Sequence, residues 1–329
     1  MYRATSEVRP DLFEATRRTL QREPKELPPV WLYDERGSLL YESITRLPDY
    51  YLPRREAEIL AARARAIAAQ TEARTLVELG SGNARNTRFL LDALELERFV
   101  PFDVSEQMLR TSASAIAEAY PQVSVEPIVG DFEHDLGALP TEGPRLIALL
   151  GSTLGNLYPE QRAELLASLA RELREDDTLL LGLDLVKDPA RLEAAYHDRA
   201  GVTEAFVRNA LAAANRELGA TFEQGRFGYE PRWDPEHEWM DIALRALEAH
   251  VVAVPELKLE LAFRKGERLR VEISSKFRRE PFDLEVRRAG MQVGSWWADR
   301  AGDYAVALVL PATSLEVDVE TNREETECL

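Results

Sequence analysis

Apolar runs alternate with amphipathic stretches over residues 75–186, and this alternation constrains the fold more than any other feature. Runs such as TLVELG, FVPFDV and RLIALLGST are mostly apolar at successive positions, as expected for strands buried on both faces. Stretches between them, such as SEQMLRTSASAIAEAY with Ser105 at the N-cap, have the spacing of amphipathic helices. Strands that alternate with helices predict an α/β fold with a parallel sheet covered by helices.

The alternation stops after residue 188, and a different pattern follows. Residues 190–220 favour helices, and residues 221–277 favour antiparallel strands. Residues 281–310 favour a helix and then two strands joined by a turn. Near the N-terminus, residues 11–23 favour an amphipathic helix. We therefore expect one sheet that is interrupted by an inserted α+β lobe, with the N-terminal segment packing against that lobe. The predicted division is residues 55–188 plus 278–314 for the sheet domain, 10–54 plus 189–277 for the lobe, and 315–329 for an acidic tail.

Composition excludes several classes of protein. The formal net charge of −17 repels phosphate backbones, so nucleic acid is not an expected partner. Cys328 is the single cysteine, which excludes an intramolecular disulfide and fits a reducing compartment. No secretory leader or run of 18 apolar residues is present, so we expect a cytoplasmic protein without a membrane partner. No metal site is expected, because the four histidines show no ligand spacing: His134, His197, His237 and His250.

The glycine turn in VELGSGNARN narrows the choice of ligand. A phosphate-binding P-loop requires Gly-Lys-Ser/Thr at the end of the turn, and none occurs here. A dinucleotide fingerprint requires a third glycine where Arg85 stands. What remains is a strand that ends in Glu78 and a turn made by Gly80 and Gly82. This turn resembles the first motif of Rossmann-like methyltransferases that use S-adenosylmethionine (SAM).

Two acidic positions after the following strands support the same interpretation. Asp103 ends the next predicted strand, where a carboxylate can accept hydrogen bonds from both ribose hydroxyls. Asp131 and Phe132 lie at the end of the third predicted strand, VSVEPIVGDF (123–132). In SAM-dependent methyltransferases an acid there accepts from the adenine amino group, and the neighbouring apolar residue covers the ring. The three motifs together predict a SAM site.

Further segments make the resemblance more specific. LPPVWLYDERGSLLYESITRLPDYY, LGSTLGNLYPEQR, LLLGLDLVKDPARLEAAYHD and VEISSKFR resemble the histidine Nα-methyltransferase family of ergothioneine biosynthesis, over about residues 25–310. The resemblance implies a class I, Rossmann-like SAM methyltransferase sheet with an inserted substrate-binding lobe. It also implies three successive methyl transfers from SAM to the α-amine of L-histidine, which yield trimethylhistidine (hercynine).

The resemblance also implies the site residues. For the cofactor they are Gly80, Ser81, Gly82, Asn86, Asp103, Asp131 and Phe132. For the amino and carboxylate ends of histidine they are Tyr33, Tyr50, Asn156 and Tyr196, with Tyr33 as the catalytic residue. For the imidazole they are Ile242, Glu272 and Ser274. The side-chain chemistry fits these roles, since Glu272 can accept from one ring N–H while Ser274 meets the other nitrogen. The chain departs from the family pattern twice, with Asn86 in place of a lysine and Ile242 in place of a methionine.

The implied reaction is an in-line displacement by a neutral amine on the SAM methyl. The sequence shows no strong general base, so we expect the proton to leave to water along a tyrosine-lined path. Two alternatives stay open. One is an N-methyltransferase of the same family that acts on another amino acid or on a ring nitrogen of histidine. The other is a SAM-binding module without turnover. A small-molecule substrate and a monomer are expected.

Overall fold

The computed structural model describes residues 2–3 and 8–312. The predicted acidic tail and Cys328 lie outside these residues. The helices are α1 (Val8–Leu20), α2 (Glu35–Ile44), α3 (Leu52–Ala68), α4 (Arg88–Leu91), α5 (Glu106–Ala119), α6 (Pro159–Glu172), α7 (Pro189–Tyr196), α8 (Val202–Leu218) and α9 (Arg279–Arg288). The strands are β1 (Tyr2–Arg3), β2 (Lys25–Glu26), β3 (Thr75–Leu79), β4 (Arg98–Asp103), β5 (Ser124–Val125), β6 (Ile128–Val129), β7 (Arg145–Leu149), β8 (Thr178–Asp184), β9 (Phe227–Asp234), β10 (Trp239–Ala246), β11 (His250–Val254), β12 (Leu259–Phe263), β13 (Arg268–Ser275), β14 (Met291–Ala298) and β15 (Tyr304–Pro311).

The large sheet has the strand order β1-β6-β4-β3-β7-β8-β15-β14, and β5 pairs with β4. Its strands run parallel as far as β8, and the terminal hairpin of β14 and β15 is antiparallel to them. Every residue of β3, β7 and β8 is buried, because helices cover both faces of the sheet. The predicted α/β fold with a terminal helix and hairpin is therefore confirmed.

The structure confirms Ser105 as the N-cap of α5 and divides the third predicted strand. The third strand, predicted as one run over 123–132, is divided into β5 and β6, with Pro127 between them lacking the N–H that a central strand requires. The helix after the glycine turn is the single turn α4. Ser105 does occupy the N-cap of α5, but its side chain makes no capping bond. Instead, Asp103 Oδ1 accepts the Ser105 backbone N–H at 2.8 Å.

A second sheet has the order β2-β13-β10-β9, and β11 pairs with β12 as a separate hairpin. Strand β2, from the N-terminal segment, runs parallel to β13, whereas the β13-β10-β9 pairings are antiparallel. The N-terminal segment also contacts α8, since Asn209 Nδ2 donates to Asp34 Oδ1 at 2.6 Å. The N-terminal segment thus packs with the strands that follow residue 221, as the sequence pattern predicts.

The two sheets are joined where β8 and β13 end. The Phe277 N–H donates to the Asp184 carbonyl at 2.8 Å, and the Val186 N–H donates to the Phe277 carbonyl at 3.1 Å. Since the carboxyl ends of β3, β4 and β7 lie at the same edge of the large sheet, this connection brings β13 next to the glycine turn. Across residues 2–3 and 8–312, no helix combines the length and the apolar character needed to cross a bilayer.

Gly182 in β8 leaves space for two side chains that brace this edge. An added Cβ would lie 2.4 Å from Tyr304 Oη and 2.5 Å from Glu56 Oε2. We expect Gly182→Ala to lower the free energy of unfolding by about 1–3 kcal/mol, as overpacking of a filled core does. Urea unfolding measures the loss. The matched control is Gly225→Ala, where an added Cβ meets nothing within 4 Å. A loss no larger than that of the control would contradict the tight packing around Gly182.

Candidate active site

A cavity of about 910 Å³ opens at the edge where the two sheets meet. Its walls come from the glycine turn, the segments after β4, β6 and β7, strand β13 and the N-terminal segment. The structure brings together every predicted site residue except Ile242 in the lining of this cavity: Tyr33, Tyr50, Gly80, Ser81, Gly82, Asn86, Asp103, Asp131, Phe132, Asn156, Tyr196, Glu272 and Ser274.

The glycine turn leaves an open cradle beside Asp103. Gly80 and Gly82 have φ values of +69° and +48°, in a region of backbone conformation that residues with a Cβ rarely adopt. The Gly82 N–H donates to Asp103 Oδ2 at 2.8 Å, which fixes the turn against the end of β4. A Cβ at Gly82 would meet no atom within 4 Å, so the space above this residue belongs to the cavity.

One polar atom of the turn has no protein partner. Ser81 Oγ is buried and makes no hydrogen bond in the described part of the chain. A buried hydroxyl without a partner is costly, and a polar ligand in the cradle would satisfy it. This orphaned hydroxyl and the open space at Gly82 fit the SAM that the motifs predict.

The acids predicted to hold the nucleoside lie along the same wall. Burial raises the pKa of Asp103, although backbone N–H groups of Ser105 and Gly82 lower it. Asp131 Oδ1 accepts the Glu133 N–H at 2.9 Å, so the carboxylate is oriented by the backbone that follows it. The Phe132 ring lies 3.7 Å from where a Gly80 Cβ would be, and it thus forms one side of the cradle.

Asn86 hydrogen-bonds to a buried carboxylate, that of Glu56, which the sequence analysis did not identify as a site residue. Its Nδ2 donates to Glu56 Oε1 at 2.9 Å and to the Pro53 carbonyl at 3.1 Å. Glu56 Oε2 also accepts the Gly151 N–H at 2.7 Å and the Tyr304 hydroxyl at 2.5 Å. Burial raises the pKa of Glu56 despite these donors. Asn86 therefore compensates Glu56 by a hydrogen bond, where a lysine would add a positive charge.

Glu272, on β13, lines another part of the cavity. Its Oε1 lies 3.3 Å from both Tyr33 Oη and Asn156 Nδ2, which donate to it. Burial raises the pKa of Glu272 to about 7, against the lowering effects of the Tyr33 hydrogen bond and the charge of Lys276. This carboxyl group can therefore gain or lose a proton near neutral pH.

Ser274 is bound to a lysine that sequence reasoning missed. Ser274 Oγ accepts from Tyr196 Oη at 2.8 Å and from Lys276 Nζ at 2.7 Å. Lys276 is buried and forms an ion pair of 2.9 Å with Asp184. The period-2 alternation in EISSK could have identified Lys276, because residues 272, 274 and 276 share one face of an extended chain.

Tyrosine rings form the rest of the wall next to Glu272. Tyr33 packs edge-on against Tyr41 with ring centroids 5.7 Å apart, and Tyr50 packs edge-on against Tyr196 at 6.1 Å. Burial raises the pKa of all four phenols, that of Tyr41 to about 12. The four hydroxyls therefore stay neutral at pH 7, and they can donate hydrogen bonds without adding charge.

Ile242 lies beside the cavity without lining it. It is the cross-strand partner of Glu272 in the pairing of β10 with β13, and it is fully buried. Its side chain supports the strand that carries Glu272.

No group of three or more His, Cys, Asp or Glu residues in the described ranges has the geometry to hold a metal ion.

Known proteins resemble this chain over nearly its whole length. The sequence model of the family described as "Histidine-specific methyltransferase, SAM-dependent" matches residues 12–311. The chain is 47% identical to the histidine N-alpha-methyltransferase of Mycolicibacterium smegmatis, over 94% of this chain and 98% of that protein. It is 48% identical to the protein of the same name from Mycobacterium tuberculosis, over 88% and 91%. It is 31% identical to ergothioneine biosynthesis protein 1 of Neurospora crassa, over 83% of this chain and 32% of that longer protein.

Glu78, at the end of β3, provides a test of the electrostatics of the cavity. Burial raises its pKa to about 8 from an ordinary 4.5, although Thr87 Oγ1 donates to its carboxylate at 2.6 Å. The folded protein therefore holds this proton more tightly than the unfolded chain, and it loses stability as the pH rises from about 4.5 to about 8. We expect Glu78→Gln to unfold at higher urea than the wild type at about pH 8.5.

At about pH 5 the two proteins should be close in stability, since Glu78 is then protonated in the fold. Each pKa unit is worth about 1.4 kcal/mol, so the gap should reach a few kcal/mol at the alkaline end. Urea unfolding at both pH values, with the variant compared with the wild type at each, removes the contribution of the other titrating groups. A gap that does not change with pH would contradict the raised pKa of Glu78.

Proposed function

The chain belongs to the family of SAM-dependent, histidine-specific methyltransferases, and we propose that it transfers methyl groups from SAM to the α-amine of L-histidine. The observation that carries this proposal is the pairing of an acceptor, Glu272, with a hydroxyl, Ser274, on one strand that faces the glycine turn. The imidazole ring offers a matching N–H and nitrogen lone pair. The same activity belongs to ergothioneine biosynthesis, where the product is hercynine.

We propose that the two predicted units divide the work. Residues 55–188 with 278–314 hold SAM through the glycine turn, Asp103, Asp131 and Phe132. Residues 10–54 with 189–277 hold histidine, and Asn156 reaches the amino acid from the sheet side. This division is supported by the lining of the cavity, to which the N-terminal segment contributes Tyr33 and Tyr50, α7 contributes Tyr196 and β13 contributes Glu272.

When bound, SAM supplies a methyl group on a positively charged sulfur. The chain orients the two substrates, and alignment of this kind contributes about 7–11 kcal/mol in well-oriented systems. Tyr33, Tyr50, Asn156 and Tyr196 can meet the amino-acid end of histidine without placing a fixed positive charge beside the sulfonium. Tyrosine faces near the amine would stabilise the growing ammonium by roughly 0.5–2 kcal/mol each.

The attacking amine must first lose a proton, and we propose a short route for it through Tyr33. Tyr33 Oη already donates to Glu272 Oε1. The phenol oxygen would accept the ammonium proton as its own hydrogen passes to Glu272, so Tyr33 stays neutral. Glu272 suits the receiving role because burial raises its pKa to about 7. In this route Glu272 is the group that accepts the proton at the end of the tyrosine-lined path.

We also propose that the protein acts as a cytoplasmic monomer on a small-molecule substrate, without nucleic acid or membrane partners. The net charge of −17 supports the exclusion of nucleic acid. Sedimentation at micromolar concentration would identify the oligomeric state.

Product analysis tests the assigned reaction. We expect mass spectrometry to show L-histidine gaining up to three methyl groups as SAM is converted to S-adenosylhomocysteine, with NMR placing every methyl on the α-nitrogen. Methylation of a ring nitrogen, or of another amino acid from a panel, would show that the α-amine of histidine is not the acceptor. Tight SAM binding without any product would identify a binding module.

Glu272→Gln tests the proposed acceptor for the imidazole. The amide keeps the shape and loses the charge, so we expect KM for histidine to rise about tenfold or more, from the loss of a charge-assisted hydrogen bond. We also expect kcat to fall, because the amide cannot receive the proton that Tyr33 passes on. Wild-type kcat/KM should fall as the pH drops below about 7 and Glu272 gains a proton. The variant should lack the part of this acid limb that comes from Glu272 and keep the part that comes from protonation of histidine itself.

SAM affinity, measured by calorimetry, should stay within about twofold of wild type in Glu272→Gln, because the hydrogen bonds of Glu272 in the described structure are with Tyr33 and Asn156 and not with the glycine turn. Glu260→Gln is the control, since Glu260 is an exposed strand residue outside the cavity. Equal losses in histidine and SAM affinity would mean that Glu272 does not bind the imidazole.

A further inference from the structure

Lys276 lies directly behind the residues proposed to meet the imidazole, and its side chain is fully buried. Its Nζ lies 2.7 Å from Ser274 Oγ, 2.9 Å from Tyr196 Oη and 2.9 Å from Asp184 Oδ2. A lysine ammonium carries three N–H donors and no acceptor. These three partners therefore occupy all of its hydrogens. Asp184 keeps the group charged, because its carboxylate raises the pKa of Lys276 against the lowering effect of burial.

The two hydroxyls in this cluster have two hydrogens of their own. Tyr196 Oη uses one of them to donate to Ser274 Oγ. Ser274 Oγ then accepts from both Tyr196 and Lys276, so both of its lone pairs are occupied. The remaining hydrogen, on Ser274, has no acceptor among residues 2–3 and 8–312, and it can only be donated into the cavity. If the Tyr196–Ser274 bond were reversed, the outward hydrogen would instead be that of Tyr196.

The other end of the imidazole site has the opposite polarity. Glu272 lies two positions before Ser274, so both side chains lie on one face of β13 and both line the cavity. Glu272 Oε1 accepts from Tyr33 and Asn156, and Oε2 is left for a further donor. With Tyr196 donating to Ser274, an acceptor at Glu272 and a donor at Ser274 match a ring with one N–H and one bare nitrogen.

We infer that Lys276 is a positioning residue that acts through Ser274 and makes the site take up the neutral form of the imidazole. The inference rests on the proposed function and adds that the site selects one protonation state of the imidazole ring. A protonated ring carries two N–H donors, so one of them would face the Ser274 hydrogen and the charge of Lys276. The groups around the ring are Glu272, Tyr33 and Tyr196, with Lys276, Asp184 and Lys187 behind them.

The state of the bound ring tests this inference directly. We would record ¹⁵N spectra of ring-labelled L-histidine bound to the wild-type protein with S-adenosylhomocysteine, at about pH 6, where a free imidazole is largely protonated. The expected spectrum shows one N–H nitrogen and one bare nitrogen. In Lys276→Met the Ser274 hydroxyl is free to turn, so doubly protonated ring should appear. A doubly protonated ring in the wild-type complex would overturn the inference, and it does so whether or not the variant folds.

Kinetics with a ring analogue can distinguish a positioning role of Lys276 from a purely structural one. A pyrrolylalanine keeps the ring N–H and replaces the other nitrogen by carbon, so it cannot accept from Ser274. We expect wild-type kcat/KM to favour histidine over this analogue, and Lys276→Met and Ser274→Ala to reduce this preference roughly tenfold, the cost of one unpaired buried group. The loss should fall on histidine, with the analogue changed little.

Lys187→Met is the matched control. Lys187 Nζ also binds Asp184, at 2.5 Å, but it contacts neither Ser274 nor Tyr196 in the described structure. This variant should keep the wild-type preference for histidine. Equal losses for histidine and the analogue in Lys276→Met, or an equal change of preference in Lys187→Met, would make Lys276 a structural residue only. A wild-type protein that methylates no histidine would instead contradict the proposed function.

Discussion

The connection between the two sheets at the ends of β8 and β13 is the constraint on which the site depends. Backbone hydrogen bonds join Phe277 to Asp184 and Val186, and the buried Asp184–Lys276 ion pair lies beside them. A buried ion pair contributes little net stability, because desolvation offsets the attraction. It does fix register. A slip of one residue along β13 would turn Glu272 and Ser274 away from the cavity and bury their neighbours in their place.

The cofactor side of the cavity carries several buried carboxylates. Burial raises the pKa of Glu56, Glu78 and Asp103, so each is less stable as a carboxylate here than in water. A ligand with positive charge would relieve this cost, and binding to such a site would also stabilise the fold. Asn86 adds to the attraction for a positively charged ligand, because it donates a hydrogen bond to Glu56 without cancelling the negative charge of the carboxylate. The charge of a sulfonium therefore complements the cavity more fully than it would with a lysine at that position.

The sequence was sufficient for the sheet and for the motifs, because both depend on local patterns. Continuous apolar runs identify buried parallel strands, and glycines at 80 and 82 mark a turn that needs positive φ. Pro127 is a local indication that the third strand is divided, but the apolar residues on both sides of it favour one continuous strand. Glu56 was different, since a charged residue in a helix is usually solvated, and only the packing of distant segments brings it to the cavity. For Lys276, the alternation along the chain indicates the face, but its buried ion pair with Asp184 depends on that packing.

The tyrosine wall explains how one site can serve an amine through several methylations. Each transfer removes an N–H donor and adds a methyl, so a wall built on ionic partners would lose its match after the first step. The phenols of Tyr33, Tyr50 and Tyr196 are held neutral by burial, and their rings offer apolar and π surfaces as well as hydroxyls. Recognition can then rest on the imidazole, because its proposed contacts with Glu272 and Ser274 do not involve the α-nitrogen that gains methyl groups.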